Sequence, residues 1–292
     1  MSLSRRDFLR TTGTAGVGVV VSAAGCNNPS QTSDDDPISR LQSMTTDIVP
    51  IAVDERLARI EKARRLMQDN NIDAMYVESG SGLFYYTGVR WGRSERMLAV
   101  VIPARGDIAY ICPGFEEERL RELIMIGDDV RIWEEDESPY QRVAQIFMDR
   151  GIRNGTIGME ERVRFFLYEG IRKAAPRLTY VSADPVTVPC RSIKSPAEIA
   201  LMQRAMDITI EAYKVCVGSL MEGMSQSEFR DISVAAHKAL GAGGGIGVQM
   251  GQNTAFPHGS KEQTYLKEGD VVLMDGGCKV DGYSSDISRT VV

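Results

Sequence analysis

Apolar positions along the chain alternate between helical spacing and short continuous runs, a pattern typical of a mixed α/β fold. After Asp54, a predicted N-cap, Leu57, Ile60 and Met67 recur at helical spacing. Short apolar runs then predict strands at 74–77, 97–102, 108–112, 130–133, 156–159 and 178–181. Between these runs, helical spacing predicts helices at 116–126, 140–150 and 162–174. Strands that alternate with helices over residues 54–189 indicate one α/β domain.

A second region follows a predicted connector at residues 189–194. Ser195 and Glu198 form a capping-box pattern that predicts the start of a helix, and Ser225 with Glu228 repeats it. The first of these two helices is predicted to bury a stripe of side chains at helical spacing. This stripe comprises Ile199, Met202, Met206, Thr209, Tyr213, Cys216 and Leu220.

A glycine-rich run at residues 241–247 follows the second of these helices. A dinucleotide-binding loop should follow a strand and open a helix, but this run follows a helix and leads into an apolar run. We therefore predict a flexible connector between a helix and a strand. His237 lies beside the buried face of the helix before it and is predicted to be structural.

The composition is that of an ordinary globular protein. The 292 residues include 34 Lys and Arg and 40 Asp and Glu, for a net charge of −6, and their number suggests two domains. The acidic balance and the lack of a Lys or Arg cluster exclude a general nucleic-acid binder. The sequence contains two histidines, His237 and His258, which excludes a zinc centre with three histidine ligands.

The N-terminus predicts export. Arg5 and Arg6 precede an apolar, small-residue stretch at 11–25, so residues 1–25 are predicted to be a twin-arginine signal. The following Cys26 fits a lipoprotein processing site; the alternative is ordinary cleavage with Cys26 left free. Residues 26–50 are predicted to be a flexible tether. We expect the protein in the periplasm or at the outer face of the cell membrane, with or without a lipid anchor.

Two carboxylates stand near the end of the chain. An apolar strand at 271–275 is predicted to end in Asp275, with turn residues at 276–277 and 281–282 before Asp286. A hairpin would place Asp275 and Asp286 on adjacent strands and on the same side. Carboxylates held so close repel each other unless they are protonated or share a cation, and a pair of divalent metals is one solution. The alternative is that both are solvated turn residues.

Several segments together resemble the pita-bread metallopeptidases. Within that superfamily the sequence is most similar to the Xaa-Pro aminopeptidase and prolidase branch, with creatinase as a relative. The resemblance covers about residue 50 to the end of the sequence. It is carried by residues 251–259, 266–270, 274–277 and 281–290, with further similarity at 83–90 and 191–199.

The resemblance implies an α/β creatinase-like N-terminal domain at 51–189, followed by the first part of an α+β pita-bread domain at 190–292. It implies cleavage of the peptide bond preceding proline in short peptides, through a water activated by two divalent metals. Manganese is the metal expected, with cobalt and zinc as alternatives, and the expected assembly is a homodimer. By resemblance, Asp275 binds one metal, Asp286 bridges both, and His258 stabilises the tetrahedral intermediate without binding metal.

The sequence lacks part of the site that the resemblance implies. The family completes its site with one His and two Glu from the second half of the domain, but no His follows His258 and no Glu follows Glu268. We therefore expect a C-terminally truncated family member that binds metal weakly or not at all as written. The alternatives are an exported, non-catalytic pseudo-enzyme that binds peptides or a partner, and a metal-independent, creatinase-like amidinohydrolase.

Overall fold

The computed structural model describes residues 37–256 and 258–292. The predicted signal and Cys26 lie outside these residues. Residues 37–50, the later part of the predicted tether, are ordered. They begin with a short 3-10 helix, Pro37–Arg40, and the Met44 amide then donates to the Leu240 carbonyl at 2.9 Å. In the described part of the chain, no helix combines the length and the apolar character that a membrane crossing requires.

The first domain is built around a six-stranded mixed sheet. The strand order is β4-β3-β2-β1-β5-β6, and β2 runs antiparallel to both of its neighbours while the other pairs are parallel. The strands are β1 (Ala74–Glu78), β2 (Ala99–Pro103), β3 (Ala109–Pro113), β4 (Val130–Trp133), β5 (Thr156–Met159) and β6 (Thr179–Ser182). The helices are α1 (Val53–Asp69), α2 (Ser81–Thr87), α3 (Glu117–Leu123), α4 (Pro139–Asp149), α5 (Phe165–Ala174) and α6 (Asp184–Arg191).

Helices cover both faces of this sheet, which is why β1, β2 and β3 are buried along their whole length. One face packs on α1, α2, α3 and α6, with Met67 and Tyr86 fully buried. The other face packs on α4 and α5 through Phe147 and Ile171. The predicted α/β domain is therefore confirmed.

Some local predictions for this domain are wrong. Asp54 is not an N-cap, because α1 begins at Val53 with Ala52 as its cap, and Asp54 instead lies in the first turn. There its charge is favourable near the positive end of the helix dipole. Helices α2 and α6 were not predicted, and α6 extends to Arg191 into the predicted connector. Both are too short to show a helical period in the sequence.

The second domain packs two helices on an antiparallel sheet. Its elements are α7 (Pro196–Gly218), α8 (Gln226–Ala239), β7 (Gly243–Met250), β8 (Val272–Val280), β9 (Tyr283–Ser284) and β10 (Ile287–Val291), with a 3-10 turn at Gly251–Ala255. The order is β10-β8-β7, with β9 paired to β8. Both predicted capping boxes are present, at Ser195 with Glu198 and at Ser225 with Glu228.

The buried face of α7 differs from the predicted stripe. Thr209, Tyr213 and Cys216 are buried as predicted, but Ile199 is 55% exposed. Glu198 is 3% exposed because it faces the first domain. The buried stripe therefore lies further round the helix than the predicted one. The buried positions are Glu198, Leu201, Ala205, Ile208, Thr209, Ala212, Tyr213 and Cys216.

The glycine-rich run is mostly strand, so the predicted flexible connector is wrong from Gly243 onward. A Cβ at Gly244 would lie 2.6 Å from both the Cys278 Cβ and the Gly277 carbonyl oxygen. The glycine is needed because β7 and β8 approach closely at this position.

Candidate functional site

The two candidate carboxylates lie on a hairpin formed by β8, β9 and β10. Strand β8 continues past Asp275 to Val280, so the prediction that the strand ends at Asp275 is wrong. Asp281 and Gly282 form the two-residue turn, with φ values of 45° and 87°. Positive φ at both central residues is the requirement of a type I′ hairpin turn.

Gly276 and Gly277 belong to strand β8 and not to a turn. A Cβ at Gly276 would lie 2.3 Å from the Gly245 carbonyl oxygen, and one at Gly277 would lie 2.2 Å from the Ser285 carbonyl oxygen. The glycine pair therefore lets the neighbouring backbones approach β8 closely from both sides.

Asp275 and Asp286 lie on the same face of the hairpin. Asp275 is paired with Ser288, and the Ser285 amide donates to the Cys278 carbonyl at 3.0 Å in the same register. Asp286 therefore lies opposite Gly277, diagonal to Asp275, a geometry that separates such residues by about 7–8 Å. Both aspartates are exposed. The sequence-based expectation of two neighbouring carboxylates agrees with this arrangement.

Helix α7 fixes the direction in which Asp286 points. The residues on either side of Asp286, Ser285 and Ile287, face α7. The hydroxyls of Ser285 and Thr209 form a hydrogen bond at 2.7 Å, and the Tyr213 hydroxyl donates to the Ile287 carbonyl at 2.6 Å. Burial, together with the negative charge of Asp275, raises the pKa of Tyr213 to about 12, so this phenol remains a donor. With both neighbours held inward, Asp286 points away from the helix.

His258 and Asp275 line the same cavity, which has a volume of about 380 Å³. Ser288, Arg230 and Gln249 also contribute to its wall, whereas Asp286 is not part of the lining. The structure thus brings His258 near one of the two candidate carboxylates. His258 itself is exposed.

The polar lining residues also include some that the sequence does not single out, among them Ser288, Arg230 and Gln249. Ser288 had a usable signal, because it stands two residues after Asp286 and a strand repeats its facing every two residues. Arg230 and Gln249 belong to α8 and β7, and no local pattern associates them with the hairpin.

The carboxylate oxygens of Asp275 and Asp286 are of the type that a hard divalent cation binds, but they are too few to complete its coordination. The Ser288 hydroxyl donates to Oδ1 of Asp275 at 2.5 Å, which leaves part of that carboxylate engaged. No group of three or more His, Cys, Asp or Glu able to hold a metal occurs among residues 37–256 and 258–292. Two carboxylates offer at most four oxygens, and such cations take about six ligands. The described residues therefore do not form a complete metal site.

His237 is separate from this site. It is fully buried, and its Nδ1 lies 2.8 Å from the Ser233 carbonyl, to which it donates. Burial lowers the pKa of the imidazole, which keeps it neutral. Its structural role is therefore confirmed.

Two known domain families match the chain. The Creatinase/Prolidase N-terminal domain matches residues 59–193, and the Metallopeptidase family M24 domain matches residues 200–292. These ranges correspond to the two domains of the structure. The second range contains His258, Asp275 and Asp286.

Individual relatives agree with this assignment. An uncharacterized peptidase of Schizosaccharomyces pombe is 29% identical over 85% of the chain and 57% of its own length. The structure of a Thermococcus sibiricus prolidase is similar with a TM-score of 0.73 and 25% identity, over 81% of this chain and 65% of that one. The structure of a Pyrococcus horikoshii dipeptidase is similar with a TM-score of 0.71 and 26% identity, over 80% of this chain and 64% of that one. The chain thus spans between about half and two thirds of each relative's length.

Proposed function

Because the chain combines a creatinase-like N-terminal domain with part of a family M24 pita-bread domain, we propose that it acts in a peptidase that cleaves the bond preceding proline in short peptides. One observation carries the proposal. Asp275 and Asp286 lie on one exposed face of a hairpin, inside the range that matches a metallopeptidase family. Carboxylates displayed in this way can share divalent cations.

Each candidate residue has a separate role in this proposal. Asp275 would hold one divalent ion and Asp286 would be shared between two, with further ligands needed to complete the set. When bound, such ions supply Lewis acidity and lower the pKa of water. His258, in the same cavity as Asp275, donates a hydrogen bond to the negative charge that develops on the carbonyl oxygen. Manganese is the proposed metal, with cobalt and zinc as alternatives.

The test begins with the intact mass of the protein from its native source, compared with the 32.2 kDa of this sequence. Cleavage of proline-containing dipeptides and tripeptides is then measured after chelation and after addition of manganese, cobalt or zinc. We expect cleavage to require metal and to fall to background in Asp286→Asn. Asp69→Asn, an exposed carboxylate at the end of α1, is the matched control and should leave cleavage unchanged.

Full cleavage by Asp286→Asn would refute the bridging role. Activity that survives complete chelation would instead favour a metal-independent, creatinase-like amidinohydrolase, which creatine hydrolysis would test directly.

A second candidate function is a non-catalytic protein that binds peptides or a partner. The observation that favours it is the incomplete ligand set among the described residues. Peptide binding without cleavage, in protein saturated with each metal, would support this alternative over the peptidase.

A further inference from the structure

The turn of the site-bearing hairpin rests on the first domain. Gly282 lies against the Phe84 ring of α2, and a Cβ at this position would be 2.5 Å from Phe84 Cε1. The guanidinium groups of Arg56 and Arg90 lie 4.7 and 4.4 Å from the centroid of the same ring. Arg90 also pairs with Asp281 in the turn. The turn is therefore held by shape and by charge, both supplied by the first domain.

A polar cluster of two buried residues and one half-buried residue lies behind this turn. The Tyr283 hydroxyl donates to Oε1 of Glu198 at 2.9 Å, and Nη2 of Arg59 donates to the Tyr283 oxygen at 3.3 Å. Arg59 also lies 3.5 Å from Oε1 of Glu198, and these two residues are only 5% and 3% exposed. We call Arg59, Glu198 and Tyr283 the interdomain triad, because they come from α1, α7 and β9.

The triad is held in place by further contacts on each side. Nη2 of Arg59 donates to Glu55 at 2.6 Å, and the Ser195 hydroxyl donates to the same Glu55 oxygen at 2.7 Å. The Ser195 amide donates a hydrogen bond to Oε2 of Glu198 at 2.9 Å, as part of the capping box. The charges are thus paired within a buried network, where they are more strongly coupled than at a surface.

We propose that the interdomain triad positions the candidate site, so that Arg59 and Tyr283 are positioning residues for Asp275 and Asp286. Tyr283 stands three residues before Asp286 on the same hairpin, and β9 is paired with β8, which carries Asp275. A shift of Tyr283 would move both aspartates, because paired strands move as a unit. The part of this inference that concerns catalysis rests on the proposed peptidase function.

The decisive variant is Tyr283→Phe, which removes one hydroxyl and keeps the ring that fills the space. Tyr180→Phe is the matched control. Tyr180 is also half-buried, and its hydroxyl donates to the Ala175 carbonyl at 3.1 Å within the first domain, far along the chain from the hairpin. Tyr283→Phe removes the hydrogen bonds to Glu198 and from Arg59, whereas Tyr180→Phe removes hydrogen bonds to main-chain carbonyls of the first domain only.

Hydrogen exchange of the metal-free protein is the first measurement. Tyr283→Phe should make exchange of the amides in residues 272–291 about three- to tenfold faster, while β1 to β3 keep their wild-type rates. Tyr180→Phe should leave residues 272–291 at the wild-type rate. Unchanged exchange of these residues in Tyr283→Phe would overturn the proposal.

A second measurement separates this inference from the proposed function. In protein that cleaves proline peptides, Tyr283→Phe should lower kcat and raise the metal concentration needed for half-activation, by about three- to tenfold each, with little change in KM. Faster hairpin exchange combined with wild-type kcat and metal dependence would overturn the positioning role. If the wild type cleaves no peptide, the peptidase proposal is refuted. Faster exchange of residues 272–291 in Tyr283→Phe would then still support the positioning of the hairpin alone.

Discussion

Asp275 and Ser288 face each other across β8 and β10, and the serine hydroxyl donates to the carboxylate at 2.5 Å. Both side chains are exposed and line the cavity that also contains His258. The hydroxyl therefore sets the orientation of a candidate metal ligand, a role that outer hydrogen-bond partners commonly play at metal sites.

Ser288→Ala tests this relationship. If Asp275 binds metal, loss of the orienting hydrogen bond should weaken metal affinity by about tenfold, as measured by titration with manganese. Thr290→Ala is the control, because Thr290 lies two residues further along the same exposed face. Equal affinities for Ser288→Ala and wild type would show that the hydroxyl does not orient the ligand.

Gly244→Ala should destabilise the second domain. The added methyl group would meet the Gly277 carbonyl oxygen and the Cys278 Cβ at 2.6 Å, and β7 and β8 would have to separate. We expect a loss of about 1–3 kcal/mol in the free energy of unfolding, measured with urea. The neighbouring variant Gly243→Ala meets no atom within 4 Å and should change stability by less than about 1 kcal/mol. Similar losses in both variants would contradict a steric origin.

Glu160 should make stability depend on pH. It is 3% exposed, and burial, with the charge of Glu161, raises its pKa from 4.5 to about 7. A carboxyl group with a raised pKa binds more protons when folded, so its contribution favours folding at low pH and is lost as pH rises from about 4.5 through 7.

Glu160→Gln keeps the shape and removes the titration. Relative to this variant, the wild type should lose roughly 2–3 kcal/mol of unfolding free energy between pH 4.5 and pH 8. Urea unfolding of both proteins at several pH values provides the measurement. Parallel pH profiles would show that Glu160 is ionised in the folded protein at neutral pH.

Export remains a prediction from the sequence of residues 1–26. Replacing Arg5 and Arg6 by lysine should retain the precursor in the cytoplasm if the twin-arginine route is used. Cys26→Ser should move the protein from the membrane fraction to the soluble fraction if Cys26 is lipidated. Cell fractionation with mass measurement of the mature N-terminus checks both, and an unmodified N-terminus at Cys26 would contradict lipidation.

Local features of this fold were predictable where the chemistry is local. The capping boxes at Ser195 and Ser225 were found because each involves residues three apart in sequence. The shared face of Asp275 and Asp286 followed from the turn at 281–282. The predicted turn at Gly276–Gly277 is wrong because glycine marks both turns and close backbone approach, and only the neighbouring strands decide between them.

Long-range polar contacts had no sequence signal. Arg59 and Tyr283 are 224 residues apart, and each alone resembles an ordinary surface residue. Ile199 was expected to be buried from helical spacing alone, but the first turn of α7 faces another domain and buries Glu198 instead. In both cases the partner comes from another domain, so periodicity within one segment could not identify it.

The interdomain triad also has a consequence for the order of folding during synthesis. Arg59 leaves the ribosome with the first domain, which can fold before Tyr283 is made, because domains fold largely as units from the N-terminus. This hairpin then docks onto a surface that is already formed. The first domain would act as a template for the docking of this hairpin, and a fault in that domain would first be seen as a misplaced hairpin.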